Sequence, residues 1–294
     1  MRITQKAVAL TSLQGLNRNL DAVGKLQEQL TSGRKINKPA DSPTGTNRAM
    51  QTRSDQAATD QYQRNITDAK SWMQQSDTVL QTMLNQARRV RDLTVQGINT
   101  GSQSAASQQA LATEVSSLRE SLLALANTSS AGRPLFGGTT SGSAAYDASG
   151  NWVGRAGTPV DRRISDTEKV RIDLTGPEAF GPAGGTDLFK VVSDIATDLT
   201  ANPTALSGHL TNLDSVMNGM LTAVASIGAR SARIDRAESV NSDRVLTLQS
   251  QLASTENVDL PATIMNLQMQ QTGYQAALSA TAKSLTPTLV DFLR

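Results

Sequence analysis

Residues 206–254 read LSGHLTNLDSVMNGMLTAVASIGARSARIDRAESVNSDRVLTLQSQLAS. In this stretch Leu206, Leu210, Leu213, Met217, Met220, Val224, Ile227, Ser231, Ile234, Glu238, Asn241, Val245, Leu248 and Leu252 recur in alternating steps of four and three. That is a heptad stripe with a mean period of 3.5, the pattern of a helix that lays one narrow seam against a partner. At about 1.5 Å per residue the helix runs roughly 70 Å. A helix of that length with so thin a stripe cannot bury its seam alone and requires other helices alongside.

Outward from it the same period recurs. Tyr62, Ile66, Ala69, Met73, Ser76, Leu80, Met83, Ala87 and Val90 mark a second long helix, predicted over 44–99. Ser42 before Pro43 suits its N-cap and first turn. After Gly101 the stripe returns at Leu111, Val115, Leu118, Leu122 and Leu125, and Gly132, Pro134, Gly137 and Gly138 end it. At the two ends lie shorter helices. One shows Leu13, Leu16, Leu20, Val23, Gln27 and Leu30; the other, capped by Asp259, shows Ile264, Leu267, Gln271, Tyr274, Leu278, Thr281 and Leu285.

Between the halves the composition shifts to Gly and Ser. A hairpin is predicted at 146–154, and two strands at 160–164 and 169–174 joined at Asp166-Thr167. Helix resumes with Thr186 as its expected N-cap. The fold class is therefore mainly α with a small β insertion. We expect an elongated antiparallel bundle of the N- and C-terminal halves, with the β-rich segment at its tip. Three domains are expected: 1–40 with 255–294, 41–134 with 186–254, and 135–185.

The 294 residues carry Lys+Arg 28 against Asp+Glu 26 and one histidine, with 18% charged, 3% aromatic and no cysteine. Without Cys there are no disulfides, thiolate nucleophiles or Cys-ligated metals. A lone His209, off the heptad stripe and read as a solvated surface residue, supports neither a zinc helix nor a base–nucleophile pair. The glycine-rich 136–143 stretch lacks the Gly-Lys-Ser/Thr ending of a phosphate loop. No enzyme activity, metal or cofactor is expected. The basic N-terminus is scattered around its helix without interleaved aromatics, so nucleic acid is not an expected partner. No apolar run approaches the roughly 20 residues of a membrane span, and the N-terminus reads as no cleaved signal peptide.

Several motifs carry a resemblance. Ser32-Gly33-Arg34-Lys35-Ile36-Asn37-Lys38-Pro39-Ala40-Asp41 resembles the loop after the first helix of bacterial flagellins and their relatives. Gly228-Ala229-Arg230-Ser231-Ala232-Arg233-Ile234 and the ending from Glu256-Asn257-Val258-Asp259-Leu260 to Asp291-Phe292-Leu293 are similar to their C-terminal half. Met1-Arg2-Ile3-Thr4, Tyr62-Gln63-Arg64-Asn65 with Asp68-Ala69-Lys70-Ser71-Trp72, and the crossover Gly132-Arg133-Pro134-Leu135-Phe136-Gly137-Gly138-Thr139 point to the hook–filament junction branch rather than to filament subunits. Asp41-Ser42-Pro43 departs from the two adjacent acids common in that loop.

The resemblance implies a structural adaptor of the bacterial flagellum. It implies export without a cleaved signal peptide, through the flagellar type III apparatus with an export chaperone. It also implies assembly as a ring of copies between the first hook-associated protein and flagellin. The assembly interface would use Leu13, Leu16, Leu20, Val23 and Leu30 with Ile264, Leu267, Tyr274, Leu278, Leu285, Leu289 and Phe292. The loop residues Ser32, Gly33, Arg34, Ile36, Asn37 and Asp41 would carry the family motif. A short flagellin is the alternative reading; an intracellular coiled-coil scaffold is another, which leaves the β insertion unexplained. Two thin terminal seams offset poorly the roughly 1–2 kcal/mol of entropy lost per ordered residue, so the ends are expected to gain order against neighbouring chains.

Overall fold

The computed structural model describes residues 5–99, 104–182 and 186–285. In chain order the elements are α1 (Gln5–Ser32), α2 (Pro43–Ile98), α3 (Ala105–Ala126), β1 (Ser129–Ser130), β2 (Arg133–Pro134), β3 (Asp161–Arg163), β4 (Lys169–Arg171), α4 (Gly176–Phe180), α5 (Leu188–Ala201), a 3-10 turn (Pro203–Ala205), α6 (Leu206–Glu256) and α7 (Leu260–Leu285). The chain forms two compact units, residues 59–243 and residues 1–58 with 244–294.

In the 59–243 unit the heptad reading holds nearly residue by residue. Along α6, Leu206, Leu213, Met220, Ile227, Ile234 and Asn241 are all buried at intervals of seven. Along α2, Thr59, Ile66, Met73, Leu80, Ala87 and Thr94 do the same. The two helices run antiparallel, tied by Lys70 to Asp235 at 3.0 Å and to Glu238 at 2.7 Å, and by Arg91 to Asp214 at 2.7 Å. Asn241 is the polar residue among these six α6 positions; its Nδ2 donates to the Thr59 carbonyl at 3.2 Å and to Gln63 Oε1 at 2.8 Å. A buried, satisfied amide at a heptad position fixes register, because sliding by a turn would leave it unpaired.

The β insertion differs from expectation in detail. The strands expected at 160–164 and 169–174 shorten to β3 and β4, paired antiparallel with Arg162 opposite Val170. Pairing frays because the Val160 N–H turns instead to Asp173 Oδ1, at 2.8 Å. The predicted hairpin reduces to a bridge between Tyr146 and Trp152, closed by Gly150 at φ +90°. A further two-residue hairpin, β1–β2, has no counterpart among the expected elements. Ala131 and Gly132 both take positive φ there (48° and 77°), the twist that tight hairpins demand. The N-cap of α5 is Asp187 and not Thr186: Asp187 Oδ1 accepts from the Lys190 N–H at 2.9 Å.

What holds the insertion is an aromatic cluster. Phe136 meets Phe180 edge-on at 4.9 Å between centroids, and Tyr146 lies 4.6 Å from Phe189. Phe180 also packs against Tyr146 and Phe189. The chain's few aromatics thus concentrate where strands are too short to stabilise themselves. Desolvation in this cluster pushes the Tyr146 phenol far above its usual range. The Trp152 indole N–H donates to the Phe136 carbonyl at 3.0 Å. Gly138, at φ +64°, brings its backbone so close to the Arg155 carbonyl that a Cβ would sit 2.5 Å from that oxygen.

His209 is not the solvated residue expected. It is part-buried at the start of α6, with Nε2 2.7 Å from Asp198 Oδ2 on α5. This contact ties the corner between the two helices and has no nucleophile in it. Among the described residues no group of three His, Cys, Asp or Glu side chains could hold a metal ion, and no helix is long and apolar enough to cross a membrane.

Candidate assembly surface

The other unit joins α1, the following loop, the start of α2, the end of α6 and α7. Glycine makes the turn out of α1: Gly33 takes φ +69°, the left-handed conformation that closes a helix C-terminus. The loop then runs as a short extended clamp against the end of α6. Val258 N–H donates to the Gly33 carbonyl at 3.1 Å, Arg34 bridges Asn257, and Lys35 N–H donates to the Glu256 carbonyl at 2.6 Å. Ser32 Oγ accepts from the Arg34 N–H at 3.2 Å, and Asn37 Nδ2 reaches the Arg34 carbonyl at 3.4 Å.

Asp41 organises the second half of the loop. Its Oδ2 accepts from the backbone N–H groups of Asn37 (3.1 Å) and Lys38 (2.9 Å), while Oδ1 lies 2.9 Å from Lys25 Nζ on α1. The Lys25 contact, helped by these two N–H groups, lowers the Asp41 carboxyl from 3.8 to about 2. Ser42 then caps α2, its Oγ accepting from the Gly45 N–H at 3.1 Å. Ile36 packs over Gly45; a Cβ there would stand 2.5 Å from Ile36 Cδ1. The six motif residues thus shape and pin this turn. Spacing gave no sign of two side chains that support the turn: Lys25, which pairs with Asp41, and Arg53, whose Nη2 lies 2.8 Å from the buried Glu256 carboxylate.

Helices α1 and α7 pack together, antiparallel, with Gln270 Nε2 donating to Asn19 Oδ1 at 3.1 Å. The seam that they share departs from the expected one by one position in every other step. On α1 it is Ser12, Leu16, Asn19, Val23, Leu26 and Leu30 that are half-buried, while Leu13 and Leu20 stay 55% and 52% exposed. On α7 it is Thr263, Leu267, Gln270, Tyr274, Ala277 and Thr281 that are covered, whereas Ile264 and Leu278 remain exposed. The structure therefore divides the expected interface residues. Leu16, Val23, Leu30, Leu267 and Tyr274 pack within the chain, and Leu13, Leu20, Ile264 and Leu278 face outward. Leu285 is the last residue of α7, its side chain not described, and Leu289 and Phe292 lie outside the described residues.

The physical reason is that each apolar stripe is wider than one partner helix can cover. Small and amide side chains at Ser12, Asn19, Thr263, Gln270 and Ala277 allow close approach on one flank. The bulkier aliphatics on the other flank are left facing solvent. Hydrophobicity alone would choose the wrong flank. A further feature is the charge on α7: from Leu260 to Ala282 it carries no Asp, Glu, Lys or Arg. Met265 and Met269, 63% and 71% exposed, add a second uncharged ridge. An exposed helix is normally rich in charge; the exposed side of α7 carries amides, hydroxyls and aliphatics instead.

Comparison with known proteins agrees with this architecture. Residues 3–141 match the family model of the bacterial flagellin N-terminal helical region. The chain is similar to flagellar hook-associated protein 3 of Escherichia coli K12, with 27% identity over 95% of this chain and 96% of that protein. It is also similar to flagellin of Bacillus subtilis 168, with 28% identity over 80% of each. The crystal structure of Bacillus cereus FlgL shares the fold at a TM-score of 0.61 and 20% identity, covering 69% of this chain and 99% of that one. The resemblance read from the motifs thus extends along nearly the whole chain, and the α-helical fold with a small β insertion is that of solved flagellar proteins.

Proposed function

We propose that this chain, which aligns almost end to end with hook-associated protein 3, is the adaptor that joins flagellar hook to filament. It is a structural subunit and not an enzyme. It adds as a ring of copies above the first hook-associated protein and presents a surface on which flagellin polymerises. The observation that carries this reading is the pairing of similarity along 95% of the chain with a terminal helix pair whose aliphatic flank is exposed among the described residues. In this reading the terminal helices, 1–40 with 255–294, make the inner contacts, the long helices form the body and 135–185 faces outward. Export precedes assembly, by the flagellar route with a dedicated chaperone and without a cleaved signal peptide. The terminal helices gain further burial among neighbouring copies.

Deleting the gene in its own host is the direct test. Cells are expected to keep hooks, lose filaments and shed flagellin monomer into the medium, with recovery on complementation. Normal filaments in the deletion strain would rule the function out. Copy number separates the flagellin reading: a ring's worth per flagellum marks the adaptor, and thousands mark a filament subunit.

A further inference from the structure

The loop between α1 and α2 carries more positive charge than its own acids neutralise. Across residues 25–53 and 254–258 the cations are Lys25, Arg34, Lys35, Lys38, Arg48 and Arg53, and the acids are Glu28, Asp41 and Glu256. Each acid is already taken: Glu28 by Lys38 at 3.2 Å, Asp41 by Lys25 at 2.9 Å and Glu256 by Arg53 at 2.8 Å. The side chains of Arg34, Lys35 and Arg48 are left without a hydrogen bond or ion pair among the described residues. These three stand around two hollows that share Ile36 as a wall. Lys35 and Arg48 line the larger, of about 290 Å³, with Ser42 and Thr255. Arg34 lines the smaller, of about 120 Å³, with Thr46 and the Arg53–Glu256 pair. The Thr46 hydroxyl is shut off from solvent and has no hydrogen-bond partner. A buried hydroxyl in that state costs free energy until something accepts from it.

We infer that this loop docks an acidic segment of a different protein, which lies across Ile36 and places one carboxylate in each hollow. This deepens the adaptor reading and rests on it. Charge complementarity carries the inference, since three unpaired cations face two hollows whose nearby acids are all paired. In the smaller hollow the planar fork of Arg34 suits a carboxylate. Thr46 lines the same hollow, so a turn of its side chain between staggered positions presents the hydroxyl as a second donor. In the larger hollow Lys35 and Arg48 hold the second carboxylate. Ser42 Oγ accepts from the Gly45 N–H there and keeps its own proton to donate. Hollows of this size admit single side chains and not a helix, which is about 10–12 Å across. A second copy of this chain is a poor source of the segment. Its described carboxylates outside any ion pair or hydrogen bond are Asp21, Asp60, Asp92, Glu120 and Asp161. Each stands alone in its stretch of sequence, so none offers a neighbouring pair.

Carbodiimide joins an amine to a carboxylate in contact with it, and Lys35 supplies the amine. Hook-bound complexes isolated from the host, treated with carbodiimide and digested, are expected to yield Lys35 linked to an Asp or Glu of a different protein. Lys35→Arg keeps the charge and should abolish that link while filaments still form. Arg34→Glu with Arg48→Glu should melt like the parent and give cells without filaments. Thr46→Val deletes the hydroxyl alone: the free chain should melt at the parent's temperature or higher, while the yield of the Lys35 link falls. A Lys35 link only to a second copy of this chain, or no Lys35 link in assembled complexes, would overturn the inference. So would normal filaments from the double reversal, or an unchanged link yield in Thr46→Val. Failure of the function itself looks different: the deletion strain would then keep its filaments whatever Lys35 is linked to.

Discussion

Lys25 Nζ on α1 stands 2.9 Å from Asp41 Oδ1, while the other oxygen of that carboxylate accepts two backbone N–H groups from its own loop. One side chain thereby fastens the family-type loop to the first helix, and does so through a charge that acid removes.

The pH dependence follows from that charge. The folded Asp41 titrates at about 2 against 3.8 for the free side chain. Its contribution to stability is therefore present above 3.8 and disappears as pH falls from 3.8 through about 2. Carboxyl chemical shifts followed by NMR should give Asp41 a midpoint of about 2 that Lys25→Met moves upward. Lys25 is half exposed, so high salt should shift the midpoint in the same direction. An Asp41 midpoint at 3.8 or higher would show the contact absent in solution.

The Arg53–Glu256 pair supports a mutant cycle. Glu256 is buried and Arg53 only half so, which makes the acid the group left stranded. Arg53→Met should cost about 1–2 kcal/mol, since a buried carboxylate loses its partner. Adding Glu256→Gln should recover part of that loss. Urea denaturation of the four proteins gives the coupling; additive effects would show that the pair contributes nothing.

Charge placed on the aliphatic flank should separate folding from assembly. Leu20 and Leu278 are exposed in the single chain, and exposed substitutions usually change stability by no more than about 0.5 kcal/mol. Leu20→Asp and Leu278→Asp are therefore expected to melt like the parent by circular dichroism yet give non-motile cells without filaments. Leu80→Asp, at a fully buried seam position, should fail to fold. Wild-type swimming in either flank variant would remove these residues from the interface.

Phe180 is in ring contact with Phe136, Tyr146 and Phe189. Phe180→Ala should lower stability by about 3–5 kcal/mol, the range for emptying a buried aromatic site. Near-ultraviolet circular dichroism should lose the signal of this cluster while the helical far-ultraviolet signal persists at low temperature. A loss under about 1 kcal/mol would mean the cluster does not hold the insertion.

The long helices are legible in the sequence because a heptad repeated over some fifty residues leaves one way to bury a seam. Asn241 and Ser76 can be placed on those seams although they are polar. Ser42 and Asp259 are readable as caps because capping is local chemistry. Thr186 and Asp187 stand side by side and both can cap, so the backbone path chooses between them. The β1–β2 hairpin is hidden because its Ala131 turn residue carries no glycine-like signal. His209 reads as exposed because its partner Asp198 lies across a helical corner that spacing does not reveal.

At the assembly surface the division is sharper. Residue order was enough to show that the terminal helices carry apolar stripes and that the 32–41 loop has its motif. Which flank of each stripe is covered came from packing alone. Leu16 and Leu20 are chemically identical, and helical periodicity places both near one face. Close approach through Asn19, Gln270 and Ala277 draws the partner helix to one side and leaves Leu20 facing out. Burial depends on where another backbone can come near, and that is a property of the packed pair and not of either helix read by itself.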